Sequence, residues 1–375
     1  MRTVEWHGIH TEALISQLKV DGHSLRVAVD TGVYETFFFS NRSLIDGEPC
    51  DGLFYGCYQC EPKYCDESKE IAFCDGCSAY VTGHSGTLEL GGVRVPGANF
   101  GLVVNFTSAE VLPQASLGLA FKPEGDDENG DWMPLLSQLV DKGILDEKEF
   151  SIYFDPDNIN EGELILGGQD TTKYHKPMQQ VPLTVGEDSW TVDLKSIKVG
   201  GKPVHTISNS HSIMIDSGAD GLYAPPELIR PVLAAIESNL LARGRNIEYA
   251  SHPWSLHSLQ SCDDRLYLPP IQLALQGESD AEVIVEIPEE LYVSKSSENG
   301  ECYLLIKDVP EGCGIGVNLL RPYHLQYQEE HRRIGIALAK RRPRTYSGSR
   351  MQRFRRFKRS LLGACSSCVS SQSAG

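Results

Sequence analysis

Two short stretches constrain this chain more than any others. LRVAVDTGV (25–33) runs an alternating apolar strand into Asp30, then turns at once through Thr31 and Gly32. HSIMIDSGAD (211–220) repeats the arrangement 186 positions later, with Asp216, Ser217 and Gly218. A half-buried strand that ends on a carboxylate in a tight glycine turn is an uneconomical way to make one surface loop. Its recurrence, once per half, predicts a molecule built from two related halves with an acidic group at the same place in each. Glycine suits both turns because it carries no Cβ, and Thr31 and Ser217 each offer a hydroxyl able to bond across to the opposite loop.

The remaining sequence supports that division. SLRVAVD, AYVTGHSGTLEL, VRVPGANFGLVV, FSIYF, GELILGG, WTVDLKSIKV and VIVEI read as short strands punctuated by Gly, Pro, Asn and Asp, a mainly-β pattern. Helices are predicted only over 131–143, with Met133, Leu136, Leu139 and Val140 on one face and Gly143 as the stop, and over 225–244. At 375 residues, 41% hydrophobic and 23% charged, the chain is long enough for two lobes, each with its own core. The expected organisation is a first lobe over 1–178, a second over 179–340 with a hinge near 175–182, and a disordered basic tail over 341–375.

Charge divides unevenly. The net value of −17 includes ten Lys or Arg from Lys340 onward, and without them 24 basic face 51 acidic residues. An acidic body of that kind repels nucleic acid. No window approaches the ~20 apolar residues of a membrane span, and the opening MRTVEWHGIHTEALIS has no apolar run of signal-peptide type.

Two carboxyls brought face to face cannot both ionise cheaply, so they share a proton. The ionised member can take a proton from water while the protonated member polarises a carbonyl, which is general acid–base hydrolysis of an amide. At this point the chain resembles the pepsin-like aspartic endopeptidases over roughly residues 10–340. AYVTGHSG (79–86) resembles the flap hairpin, with Tyr80 in the place of the flap tyrosine and Thr82 and Gly83 in its turn. ASLGLAF (115–121) resembles the strand that braces the first aspartate, and Gly316 the brace of the second. The second lobe looks closest to the β-secretase-like branch.

The resemblance implies a bilobal fold of two β-barrel-like lobes with few short helices and a central cleft. It implies Asp30 and Asp216 as catalytic residues, Thr31, Gly32, Ser217 and Gly218 as their support, and Tyr80, Thr82 and Gly83 as the flap. It also implies a Cys262–Cys302 disulfide, an extended polypeptide as substrate, no cofactor and no resident metal, a monomer, and a secretory, endolysosomal or extracellular setting. Three departures stand out: Val33 and Ala219 replace hydroxyl residues, which predicts raised pKa values and a less acidic pH optimum, and Phe37 replaces a tryptophan. A rival reading is a protease-shaped binding protein that has lost its activity through these changes.

Six cysteines, Cys50, Cys57, Cys60, Cys65, Cys74 and Cys77, crowd between Asp30 and the flap. Such an insertion is similar to those of nepenthesin-like and plasmepsin-like relatives; as disulfides, six cysteines allow fifteen pairings, and the sequence does not choose. The spacing CYQC (57–60) with CDGC (74–77) also fits a zinc ribbon, and that alternative stays open here.

Overall fold

A computed structural model of the chain describes residues 2–10, 13–41, 53–59, 68–72, 78–107, 111–112, 115–122, 133–252, 255–296, 300–310, 312–341 and 363–364. Strands dominate, as the alternating pattern requires. In His23–Asp30 the first two residues are exposed, Arg26 faces out, and Leu25, Val27 and Val29 face in before Ala28 and Asp30 are buried as well. A thirteen-stranded sheet carries most of the first half, and a seven-stranded sheet carries the core of the second.

The large sheet crosses between the halves. Glu149–Asp155 lies between Asn158–Leu166 on one side and Tyr323–Gln328 on the other, and Tyr323–Gln328 pairs onward with Arg333–Leu338. Gln179–Pro182 then adds to the outer edge of Arg333–Leu338. The segment expected to act as a hinge therefore supplies an edge strand of the shared sheet rather than a free linker. Its backbone groups are taken up by the ladder, which an isolated connector would leave to water.

Both predicted helices exist, and both are shorter than expected. The first spans Leu135–Asp141, following Pro134, and its backbone reverses at Gly143 with φ +65°. Met133 precedes that helix and is 44% exposed, so it does not join Leu135, Leu136 and Leu139 on the buried face. The second spans Pro226–Leu241 and buries Leu228, Ile229, Val232, Ile236 and Leu240. Pro225 and Pro226 at its start suit positions whose N–H would lack an intrahelical partner.

The described part of the cysteine-rich insertion is packed, not loose. Cys57 and Tyr58 are buried, the Tyr58 N–H donates to the Phe39 carbonyl at 2.7 Å, and the Tyr58 hydroxyl donates to Asp21 at 3.0 Å. Cys57 is disulfide-bonded, so it is not a free thiolate for zinc. Cys50, Cys60, Cys65, Cys74 and Cys77 lie outside the described residues, as does the tail apart from 341 and Gly363–Ala364, which pairs in parallel with Val111–Leu112. In the second half Cys262 and Cys302 form a disulfide across a sequence separation of 40. Among the described residues no helix is long and apolar enough to cross a membrane.

Within the shared sheet His324 is fully buried, stacked on Tyr174 at 5.1 Å, and neither ring nitrogen has a hydrogen-bond partner among the described residues. Asp170 and Lys173 act on it with opposite sign, and Lys173 is itself held by Glu163 at 2.8 Å. Burial dominates and pushes the imidazole down from 6.5 to about 4. The folded state thus keeps His324 neutral where the unfolded chain would protonate it, so its contribution is full above about pH 6.5 and is lost as pH falls toward 4. His324→Phe should flatten the pH dependence of unfolding between pH 7 and 4 by on the order of 3 kcal/mol, read from urea melts of variant and parent at both pH values.

Candidate active site

Each aspartate ends a strand that is flanked in parallel by a short glycine-containing strand. Asp30 pairs with Gly118 in Ser116–Gly118, and Asp216 pairs with Gly316 in Gly314–Gly316. The close approach depends on those glycines. A Cβ on Gly118 would come within 2.4 Å of the Glu35 carbonyl oxygen, and one on Gly316 within 2.3 Å of the Ala219 carbonyl oxygen. The Leu119 N–H donates to the Asp30 carbonyl at 2.7 Å and the Gly316 N–H to the Gly221 carbonyl at 2.7 Å, which closes both loops on their bracing strands.

The carboxyls are held by their own turns. The Gly32 N–H donates to Asp30 Oδ1 at 2.9 Å, and the Gly218 N–H donates to Asp216 Oδ1 at 2.8 Å. The two turns then grip one another reciprocally. The Thr31 N–H donates to Ser217 Oγ and the Ser217 N–H to Thr31 Oγ1, each at 2.9 Å. Each hydroxyl also reaches past its partner: Thr31 Oγ1 donates to the Ile215 carbonyl at 3.0 Å, and Ser217 Oγ donates to the Val29 carbonyl at 2.7 Å. Four hydrogen bonds related by an approximate two-fold axis thus join residues far apart in sequence, and all four are buried.

Asp30 is 1% exposed and Asp216 fully buried. Burial raises the Asp216 carboxyl well above the usual carboxylate range; the charge of Asp30 and then that of Asp220 add to the rise, while the Gly218 and Ala219 backbone N–H groups oppose it. Asp216 Oδ2 makes no hydrogen bond among the described residues. Two acidic groups coupled in one buried site, with one displaced toward its neutral form, can hold a single proton between them.

Strand register corrects the expected placement of the flap turn. Tyr80 pairs with Glu70 on one side and Asn105 on the other. Thr82 and Gly83 pair with Leu102 and Gly101 in mid-strand, so they form no turn, and Thr82 is buried. Lys69–Ala72 and Ser78–Leu90 form the hairpin, and their last pair, Ala72 with Ser78, leaves 73–77 to connect them.

Periodicity and motif also passed over Trp190. Its indole N–H donates to the Leu119 carbonyl at 3.0 Å, and its own carbonyl accepts from the Ile215 N–H at 2.9 Å. One residue, through its side chain and its backbone carbonyl, therefore links the brace of Asp30 to the strand that delivers Asp216. Phe121 and Phe150 meet its ring edge-on at 5.0 and 5.7 Å.

Breaking the grip should cost more than a surface hydrogen bond. Ser217→Ala leaves the Thr31 N–H and the Val29 carbonyl buried without their partner, so thermal or urea melts should show a loss of about 1–3 kcal/mol. Thr31→Val should lose a similar amount, and the double variant should lose less than the sum because the two residues share their bonds.

Comparison with known proteins places the chain in a family. The eukaryotic aspartyl protease family matches residues 20–339. An acid protease of Saccharomycopsis fibuligera is 26% identical over 348 residues, covering 86% of this chain and 80% of that protein. Candidapepsin-1 of Candida albicans is 23% identical over 274 residues, 72% of this chain and 64% of that protein. Napsin-A of Mus musculus is 28% identical over 234 residues, covering 60% of this chain and 51% of that protein, so the chain spans only part of some of the relatives it matches. With strands ending on gripped Asp-Thr-Gly and Asp-Ser-Gly turns and a family match across most of its length, the chain belongs to the eukaryotic aspartyl proteases, the pepsin-like group of aspartic-type endopeptidases.

Proposed function

We propose that Asp30 and Asp216 are the catalytic pair of an endopeptidase that hydrolyses peptide bonds in extended polypeptides. The observation that carries this reading is the reciprocal Thr31–Ser217 grip, which sets two buried carboxyls in matched turns. Asp216, pushed toward its neutral form by burial and by the charge of Asp30, is assigned the proton of the resting pair and Asp30 the role of base.

In the reaction Asp30 takes a proton from water while the water oxygen adds to the scissile carbonyl carbon. Asp216 gives its proton to the carbonyl oxygen, and a neutral tetrahedral diol results. Collapse reverses the traffic: a hydroxyl proton returns to one carboxyl, the C–N bond breaks, and the other carboxyl's proton goes to the leaving nitrogen. Gly32 and Gly218 hold the two carboxyls through their backbone N–H groups, and Thr31 and Ser217 hold the two turns against each other. The half-buried Tyr80 and exposed Gly83 belong to the hairpin that flanks the substrate channel, whose free edge can pair with a peptide main chain.

The lobes on either side of the pair correspond to 1–178 and 179–340, joined by the shared sheet. Secreted aspartic protease 1 of Candida albicans, 23% identical, and the Cys262–Cys302 disulfide support placement in the secretory pathway or outside the cell. The inactive-binder alternative loses its ground, because Val33, Ala219 and Phe37 leave every grip bond in place.

Digestion of a mixed peptide library across pH tests the reading. Cleavage should be maximal above about pH 3, since neither Val33 nor Ala219 offers a hydroxyl to favour the ionised pair. Asp30→Asn and Asp216→Asn should each reduce kcat by on the order of a thousandfold or more at unchanged melting temperature. An enzyme indifferent to both substitutions would overturn the assignment.

A further inference from the structure

Tyr327 holds a buried polar atom that the fold itself does not need. It lies on Tyr323–Gln328, paired with Phe150 on one side and Ile334 on the other, and it is fully buried. Its ring stacks on Phe150 at 4.6 Å with a 7° tilt and meets Trp190 edge-on at 5.0 Å, so two aromatic walls fix its direction. The hydroxyl makes no aligned hydrogen bond among the described residues, yet it lies beside the Thr31 side chain and within the field of Asp216. An interior hydroxyl left in this state is a cost that phenylalanine, with the same ring, would avoid.

What the hydroxyl can serve is the grip. Thr31 Oγ1 accepts one hydrogen bond, from the Ser217 N–H, and donates one, to the Ile215 carbonyl. A hydroxyl oxygen has two acceptor positions, so one remains. We propose that Tyr327 is a positioning residue for the catalytic pair, donating its phenolic proton to Thr31 Oγ1 when the pair is ionised and so favouring the charged, reacting state from beneath. The inference rests on the assignment of Asp30 and Asp216 made above. It supplies from the shared sheet the stabilisation that Val33 and Ala219, without hydroxyls, cannot give at the outer carboxyl oxygens.

A chain of hydrogen bonds running from Tyr327 through Thr31 to Ile215 would polarise each member in the same sense. The charged groups at this point are Asp30 and Asp216, with Asp220 beyond Asp216 and Glu35 buried on the Asp30 loop. The neighbouring strands present Phe150 and Ile334, and Trp190 presents its ring, so none of the three brings a charge that could substitute.

Tyr327→Phe keeps the ring and removes only the hydroxyl. In the full-length chain the melting temperature should hold or rise, while kcat for a peptide cleaved by the parent falls about three- to tenfold with KM within about twofold. The acid limb of the kcat profile should move up by about half a pH unit, because the charged pair has lost a donor dipole. Tyr327→Leu, which also removes the ring, should lower the melting temperature and separates packing from the hydroxyl. Superimposable pH profiles for parent and Tyr327→Phe would overturn the proposal alone, as would a kcat loss that merely tracks a loss of stability. A parent that neither cleaves peptides nor binds a statine-type peptide would instead remove the catalytic assignment, and this inference with it.

Discussion

Four hydrogen bonds made by two hydroxyl-bearing residues, two to each other and two to the strands behind, organise this molecule. Thr31 and Ser217 lie 186 residues apart, yet each donates its backbone N–H to the other's side chain and then anchors on the strand behind. Buried and mutually dependent, these bonds fix where the turns that follow Asp30 and Asp216 can lie. The carboxyl geometry, the coupling of their charges and the need for glycine at 118 and 316 follow from that constraint. Without the grip the aspartates would be two ordinary strand-end acids, each free to point toward water.

The buried groups around the grip set limits on where the enzyme can work. Burial and two neighbouring acids raise Asp216, which suits a pair that must keep a proton at moderate pH. His324 opposes strong acid from the other face of the shared sheet, because the fold holds it neutral. The two effects have opposite signs in stability: the raised Asp216 costs stability as pH rises, and His324 costs stability as pH falls toward 4.

Much of this could be read from residues alone. The Asp-Thr-Gly and Asp-Ser-Gly turns and most strands were legible because each rests on local chemistry, that is alternation, turn residues and a paired motif, whereas the bracing segment 115–121, Gly316 and the Cys262–Cys302 bridge came only with the family resemblance. What escaped depends on register or on distant packing. Thr82 and Gly83 look like a turn in one dimension, but the ladder with Gly101 and Leu102 holds them in mid-strand. Gln179–Pro182 reads as a linker because nothing nearby shows that Arg333–Leu338 will come to cover it. Trp190 and Tyr327 look like ordinary core aromatics, and only their polar atoms, placed against residues from elsewhere in the chain, set them apart.

The shared sheet also decides when the molecule can come into being during synthesis. Glu149–Asp155 needs Tyr323–Gln328 beside it, and that strand needs Arg333–Leu338 in turn. A ribosome that has made only the first half has therefore produced a sheet with an open edge and one acid without its counterpart. The shared sheet therefore cannot close piecemeal: it waits on the synthesis of Tyr323–Gln328 and Arg333–Leu338.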